Sequence, residues 1–401
     1  MSNEPYQEVT TQSWGGRLKE SIKGVAIGFL LIIVAFPVLW FNEKNSVDTA
    51  KGLEEGAKNV VEIDLSAITG SADGKLIHGT GNASTPDRLQ DSVFGINLNA
   101  IHLNRVVQMY QWEEESKSET KEKLGGGTET ITTYTYQETW STNLINSRDF
   151  KDPNARTKYA NPTRFPYESL SQSAKSVKVG AYPISSGLIS QIRAEQNINY
   201  LDKSQVNLPG SISQRAKVSE KEIYIGDPSN PKIGDLKITH QVAIPGEVSI
   251  LGLYKSGVVG PYRTERNTVI ERLQSGSHTA AEMFAAAEAE NRIITWVVRL
   301  IGLLLFFFGF NMVLKPISTL GAVVPIFGNL LGWGISLVSG IVAFILTVLT
   351  VGMAWIFYRP ILGIALLIVA GGLVYFLYQK KKEVTAPSGS TPGYPLNPKQ
   401  G

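Results

Sequence analysis

The sequence contains no cysteine and only four histidines in 401 residues. Without thiols there is no disulfide framework, no zinc ribbon and no cysteine nucleophile. His78, His102, His240 and His278 are scattered, with no two at the i, i+4 spacing that shares a helix face. A zinc site needs three or four converging ligands, so a structural hydrogen-bonding role suits these rings better. Charge is scarce too: Asp, Glu, Lys and Arg make up 18% of the chain, and the net charge is +3. That is too weak a field to hold nucleic acid. The Gly-x-Ser-x-Gly elbow of hydrolases is missing. Gly125-Gly126-Gly127 lacks the Lys-Ser/Thr that a phosphate loop requires. Glu113-Glu114-Glu115 and the lysines after it read as a solvated hairpin end, since adjacent like charges prefer water. No catalytic, cofactor or metal site is read from these residues, and a non-enzymatic role is expected.

Long apolar runs are what the chain has instead. From Ile293 to Tyr378 the only formal charges are Arg299, Lys315 and Arg359. About 20 apolar residues cross a bilayer core as a helix. Breaks at Asn311–Pro316 and at Tyr358-Arg359-Pro360 leave three segments, 293–314, 333–357 and 360–378. A further run, 24–41, lies far upstream. It is too long for the core of a signal peptide, and Pro37, Trp40 and Phe41 stand where a small-residue cleavage site would be needed. The expected fold class is a multi-pass α-helical membrane protein. It has four transmembrane helices, one plus three, around a large strand-rich α+β extracytoplasmic domain at 42–292. Orientation follows from Lys and Arg in short flanks. Arg17, Lys19, Lys23, Lys315 and Lys380–Lys382 fall together, so 1–23, 315–332 and the disordered tail 379–401 are expected in the cytoplasm. Arg359 is the lone exception.

Within the middle, alternation of apolar and polar residues predicts strands at 60–65, 75–80, 105–113, 130–140, 176–179, 221–225, 236–242 and 248–254. Helical pieces are expected at 51–58, 169–174, 183–197 and 279–292. The last opens on Thr279-Ala-Ala-Glu282, a capping box. Asn82-Ala-Ser84 is a glycosylation sequon. In an alternating strand Met109 and Gln111 face one way, and Tyr110 and Trp112 the other. Met109, Tyr110 and Trp112 are thus a candidate interaction cluster, weighed against plain core packing.

In the membrane block, Gly328, Gly332, Ser336 and Gly340 recur every four residues. Such a stripe lets helix backbones approach closely, either inside one bundle or between copies in a homo-oligomer. Arg299 lies one to two turns inside its span and is expected to snorkel to the interface. No acid is counted within a span. Thr347, Thr350, Asn311 and Arg299 are the residues a polar path would draw on, and an ion channel or channel subunit is the alternative function.

Several stretches resemble the transmembrane protein 43 family, also called LUMA. They are Gly74-Lys-Leu-Ile-His78, Met109-Tyr-Gln-Trp112, Trp140 with Ile145-Asn-Ser147, and Ser185-Ser-Gly-Leu-Ile189. Asn230-Pro231 with Gly234-Asp-Leu236, Ala281-Glu282 with Phe284, and Phe357-Tyr-Arg-Pro360 complete the series. Their order and spacing carry the resemblance, together with the one-plus-three arrangement. It implies a protein of the endoplasmic reticulum and inner nuclear membrane that organises membrane protein complexes, with emerin- and lamin-like partners. In a bacterium the location is the inner cell membrane and the nuclear partners fall away. The expected role is a non-enzymatic membrane scaffold without cofactors.

Overall fold

The computed structural model describes residues 5–202, 206–322 and 325–365, with 368, 371, 372 and 375. Three helices dominate: α1 (Trp14–Asn59), α2 (Ala280–Gly321) and α3 (Pro325–Tyr358). Each holds a stretch long and apolar enough to cross a membrane. Ser13 caps α1, its Oγ accepting from Gly16 N–H at 3.2 Å. The capping box at Thr279 and Glu282 opens α2, and the orphan amides of the first turn are satisfied there as the sequence predicts.

The helices overrun their predicted ends. At about 1.5 Å per residue, α1 is roughly 70 Å long, against a hydrocarbon core of about 30 Å. The runs 24–41 and 293–314 are therefore only the apolar middles of α1 and α2. Charged residues end a hydropathic run without ending a helix, because Glu and Lys are good helix formers. The expected loop 315–332 is mostly helical too. Ser318 and Thr319 both donate to the Lys315 carbonyl, at 2.9 and 3.0 Å, and keep the turn around Pro316 closed. Of the fourth span, 360–378, residues 360–365, 368, 371, 372 and 375 are described and helical, while its other residues and the tail 379–401 lie outside the described residues.

Close packing sits between α1 and α2. A Cβ on Gly28 would stand 2.7 Å from the Gly309 carbonyl, and one on Gly309 would stand 2.9 Å from the Gly28 carbonyl. The stripe expected in α3 is looser. A Cβ on Gly332 would meet nothing within 4 Å, one on Gly340 would meet only Phe307 at 3.9 Å, and Ser336 donates to Asn311 Oδ1 at 3.1 Å. The surroundings of Gly328 lie outside the described residues. The stripe faces α2 through Ser336 and Gly340, but the closest backbone approach to α2 is made by α1. Gly28→Leu is expected to cost about 1–3 kcal/mol by overpacking, while Gly332→Leu leaves stability unchanged. Thermal unfolding of the two variants in detergent checks this.

The body between α1 and α2 is built on two large sheets, with two small two-stranded ones beside them. In the first, β1 (Tyr6–Gln12), β4 (Thr128–Ser141), β3 (His102–Glu122) and β5 (Leu236–Ala243) lie side by side, continued by Ile223–Ile225 and Ala216–Val218. In the second, β2 (Lys75–Ser84) pairs antiparallel with β6 (Gly246–Lys255). Each sheet has its own apolar core. Val179, Tyr182, Ile250 and Val259 lie under the second, and Leu103, Val107, Met109 and Ile238 under the first. The helical layer comes from the ends of α1 and α2. Leu53, Met283 and Phe284 pack on Leu76 and Leu251 of the second sheet and on Ile270 of a separate two-stranded pair. The body is thus joined to the bundle by continuous helices at both ends.

Three local expectations are corrected. Residues 6–12, for which no strand is expected, form β1, which pairs with β4 from Tyr6↔Tyr134 to Gln12↔Thr128. The segment 1–23 therefore carries a strand of the body's first sheet. Residues 169–174 contain a strand, Leu170–Ser173, zipped to β3, whose backbone pairing outweighs a neutral local preference. Of the helix expected at 183–197 only one turn forms, Ser186–Ile189, capped by Ser185. There Gln191 donates to the Gly187 and Glu271 carbonyls, tying the chain to the sheet instead of to a second turn.

Candidate functional site

The site with the most concentrated polar chemistry in the apolar bundle is where α1, α2 and α3 meet the body. Antiparallel packing brings Glu43 of α1 opposite Arg299 of α2. Arg299 Nε donates to Glu43 Oε1 at 2.7 Å and Nη2 to Oε2 at 2.9 Å, a two-pronged pair. Trp355 of α3 adds its indole N–H to Glu43 Oε2 at 2.8 Å. The guanidinium carbon lies 4.7 Å from the Trp296 ring centre and 5.6 Å from that of Trp355, a cation–π cage. The Glu43 side chain is fully buried and that of Arg299 only 12% exposed. Arg299 therefore does not snorkel as expected. It is satisfied internally by an acid that hydropathy had placed just outside the first span. The available signal was an acid two residues past one span and an arginine inside its antiparallel neighbour.

Arg359 extends this junction. Its Nη2 donates to Ser46 Oγ at 3.2 Å, and it approaches the Trp355 ring at 6.0 Å. Asn42 donates to the Thr295 carbonyl at 3.2 Å and Asn291 to the Ser46 carbonyl at 3.0 Å. These bonds fasten the three helices at one level. Two hollows flank them. One, of about 690 Å³, lies between α1 and α2 beside Phe41, Asn45, Thr49, Arg272 and Asn291. The other, of about 430 Å³, is apolar and lies between α2 and α3 beside Trp296, Leu300, Phe344, Val348 and Trp355.

The body has a second buried polar group. Asp91 accepts from Arg105 Nη1 at 2.7 and 2.8 Å and bonds His240 Nε2 at 2.8 Å, and His240 Nδ1 bonds the Tyr200 hydroxyl at 2.8 Å. Burial pushes His240 below its ordinary value, against the pull of Asp91. Burial raises Asp91, but bonds from His240 and the charge of Arg105 outweigh it and hold the carboxyl below the usual range. Burial drives Tyr200 well up. Phe94 lies beneath the Arg105 guanidinium at 5.3 Å. Neither hollow reaches this network, and all its members satisfy one another, which marks it as structural. Among the described residues no three of His, Asp and Glu stand together to hold a metal ion. His78 is buried with Nδ1 2.6 Å from Glu62.

Met109, Tyr110 and Trp112 do not form one surface. Met109 is fully buried. Tyr110 packs on Trp140 with ring centres 5.0 Å apart, and Lys237 Nζ lies 4.2 Å over Trp140. Trp112 packs on Tyr159 at 4.5 Å. Tyr110, Trp112 and Trp140 are each half-buried, and Tyr110 and Trp140 form a strip across the hairpin. Sequence reasoning had Tyr110 but missed its partner across the hairpin.

The family model described as transmembrane protein 43 matches residues 109–360. Transmembrane protein 43 of Homo sapiens is 30% identical over 394 residues, covering 94% of this chain and 95% of that protein. The Mus musculus protein is 29% identical, over 90% of this chain and 91% of its own length. The Drosophila melanogaster homolog is 28% identical, over 88% and 93%. No solved structure matches. The matched stretch takes in the hairpin, most of the body, and both Arg299 and Arg359. With coverage of nearly the whole chain, this integral membrane protein belongs to the transmembrane protein 43 family.

Proposed function

We propose that the protein is a non-enzymatic membrane scaffold that organises membrane protein complexes. The observation that carries this reading is the rigid coupling of body to bundle. α1 and α2 run unbroken from apolar zone to β-sheet, and the Glu43–Arg299–Trp355 lock fixes them where they emerge. Such a part holds a presented surface at a set place on a membrane. On this reading its partners are other membrane proteins and further copies of the chain, with emerin- and lamin-like ones in a nucleated cell. Its home is then the endoplasmic reticulum and inner nuclear membrane, or the inner membrane of a bacterium.

The residues a channel would draw on are engaged elsewhere. Thr347 and Thr350 donate to the Ala343 and Leu346 carbonyls of their own helix, at 2.8 and 2.7 Å, and Arg299 is held by Glu43. Proximity labelling in the native cell, with the tag on the body, is expected to return a reproducible set of membrane proteins. Tyr110→Ala with Trp140→Ala removes the aromatic strip while leaving Met109 in place, and should cut recovery of direct neighbours roughly tenfold. Ion current through bilayers holding only the pure protein, or substrate turnover lost on one body substitution, would sink the reading.

A further inference from the structure

Arg359 is the cation that the Lys/Arg count of the flanks leaves over, and the Glu43 lock does not use it. It stands at a corner. Its backbone N–H donates to the Trp355 carbonyl at 2.7 Å, closing the last turn of α3. Its own carbonyl accepts from Gly363 N–H at 2.9 Å, opening the helical run that starts at Pro360. Proline suits that first helical position, where its missing N–H would have no partner anyway. The corner is tight, since a Cβ on Gly363 would stand 2.7 Å from Ile356 Cα. The backbone therefore fixes where the Arg359 side chain begins. Its bond to Ser46 Oγ and the Trp355 ring beside it fix where it ends.

Ser46 sets the depth. It lies roughly 7 Å along α1 beyond Phe41, the end of the apolar run. The headgroup layer adds about 5–8 Å to each side of a bilayer's hydrocarbon core. The Arg359 guanidinium is thus held at headgroup level. Trp40 packs nearby on Phe357 and Tyr358, with ring centres 5.3 and 5.8 Å apart, as aromatics do at an interface.

Between this corner and α1 lies a cleft of about 430 Å³. Two cations border it, Arg359 from the corner and Lys51 from α1. Long side chains on a helix lean back towards its N-terminus, so the Lys51 stem runs towards the membrane. The other walls are largely apolar, with Val47 and Ala50 on one side and Pro360, Ile361 and Leu362 on the other. Ile361 and Leu362 are exposed. Among the described residues no carboxylate pairs with either cation. The acids close by in α1 are taken: Glu43 by Arg299, Asp48 by Arg266 and Glu54 by Lys58. Two like charges facing one cleft repel, and an anion between them reverses the sign of that energy.

We propose that this cleft binds one acidic phospholipid of the surrounding leaflet. Its phosphate sits between Arg359 and Lys51, and an acyl chain runs over Ile361 and Leu362 into the hydrocarbon. Arg359 presents its remaining N–H groups as a held fork, the geometry that takes two phosphate oxygens at once, and Lys51 adds a point charge. A choline or ethanolamine headgroup brings a further cation to a site that already holds two. The preference is therefore for a net negative headgroup, as in phosphatidylglycerol. The apolar walls favour a lipid over free phosphate. Bound there, the lipid bridges α1 to the helical run from Pro360, so membrane composition sets how firmly that run docks.

Native mass spectrometry of the full-length protein, released from mild detergent, counts the lipids it keeps. The probes are phosphatidylglycerol, phosphatidylcholine with the same chains, and inorganic phosphate. One phosphatidylglycerol per chain is expected to be kept ahead of phosphatidylcholine, with no displacement by phosphate. Lys51→Gln and Arg359→Gln should each weaken phosphatidylglycerol roughly fivefold, and the double variant about 25-fold. Lys44→Gln, at an exposed cation that does not border the cleft, should change nothing. Arg359→Gln also loses the bond to Ser46, so Lys51→Glu is the decisive variant. It changes an exposed position, leaves the fold intact, and should bring phosphatidylglycerol down to the level of phosphatidylcholine. Undiminished phosphatidylglycerol in Lys51→Glu overturns the proposal, as does equal retention of the two lipids by the wild type. Displacement by phosphate, or an equal loss in Lys44→Gln, overturns it too, the first in favour of a free anion and the second of diffuse surface charge.

Discussion

Glu43→Ala is expected to destabilise the bundle–body junction by about 3–5 kcal/mol, the usual cost of stripping one partner from a buried ion pair. Two losses add. Arg299 keeps its charge between two indoles with no acceptor, and the Trp355 N–H loses the carboxylate it donates to. Glu43→Gln should fall in between, because its amide oxygen still accepts one bond. The double variant Glu43→Ala with Arg299→Met should recover most of the loss, since removing both charges leaves nothing buried and unpaired. Unfolding followed by tryptophan fluorescence is a local readout, because Trp296 and Trp355 line the site. A loss below about 1 kcal/mol, the size of an exposed pair, would mean that Arg299 reaches headgroups after all.

Hydropathy is a local property, and what it governs was legible. The apolar middles of α1, α2 and α3 are visible as runs without charge, the start of α2 as a capping box, and β2, β5 and β6 as alternating segments within a few residues of their ends. Contacts between distant segments were not. β1 looks like a polar tail because its partner, β4, lies more than a hundred residues later. Glu43 looks like the solvated end of a span until Arg299, 256 residues away, is placed beside it. The close approach of Gly28 to Gly309 follows from which helices are neighbours, and a small-residue stripe in α3 cannot report that. Met109 and Trp112 were correctly assigned to opposite faces by strand period. Trp140, the other half of the half-buried strip, depends on hairpin register, which pairs Tyr110 with Trp140.

The second large effect is expected in the body. Asp91→Asn should cost about 3–5 kcal/mol, since Arg105 keeps a buried charge facing a neutral amide, and it should change the response to acid. The wild-type response has a definite sign. His240 holds its proton less tightly folded than unfolded, so on acidification the unfolded chain protonates first, from about pH 6.5 downwards. The stability it contributes is complete above that point and is lost as pH falls towards the folded value. Asp91, also depressed, contributes stability that is complete above its ordinary range near 3.8 and is lost at lower pH still. Acid therefore weakens the body in two steps, His240 first. Between pH 7 and 5 one such group contributes at most about 1.4 kcal/mol per pH unit. His240→Gln should flatten the stability curve by up to that slope, whatever the other three histidines contribute, because they are common to both proteins. Far-ultraviolet circular dichroism melts across that range give the difference. Equal slopes in the two proteins would show that His240 takes up its proton in the folded state, and the network would then be open to solvent rather than a sealed strut.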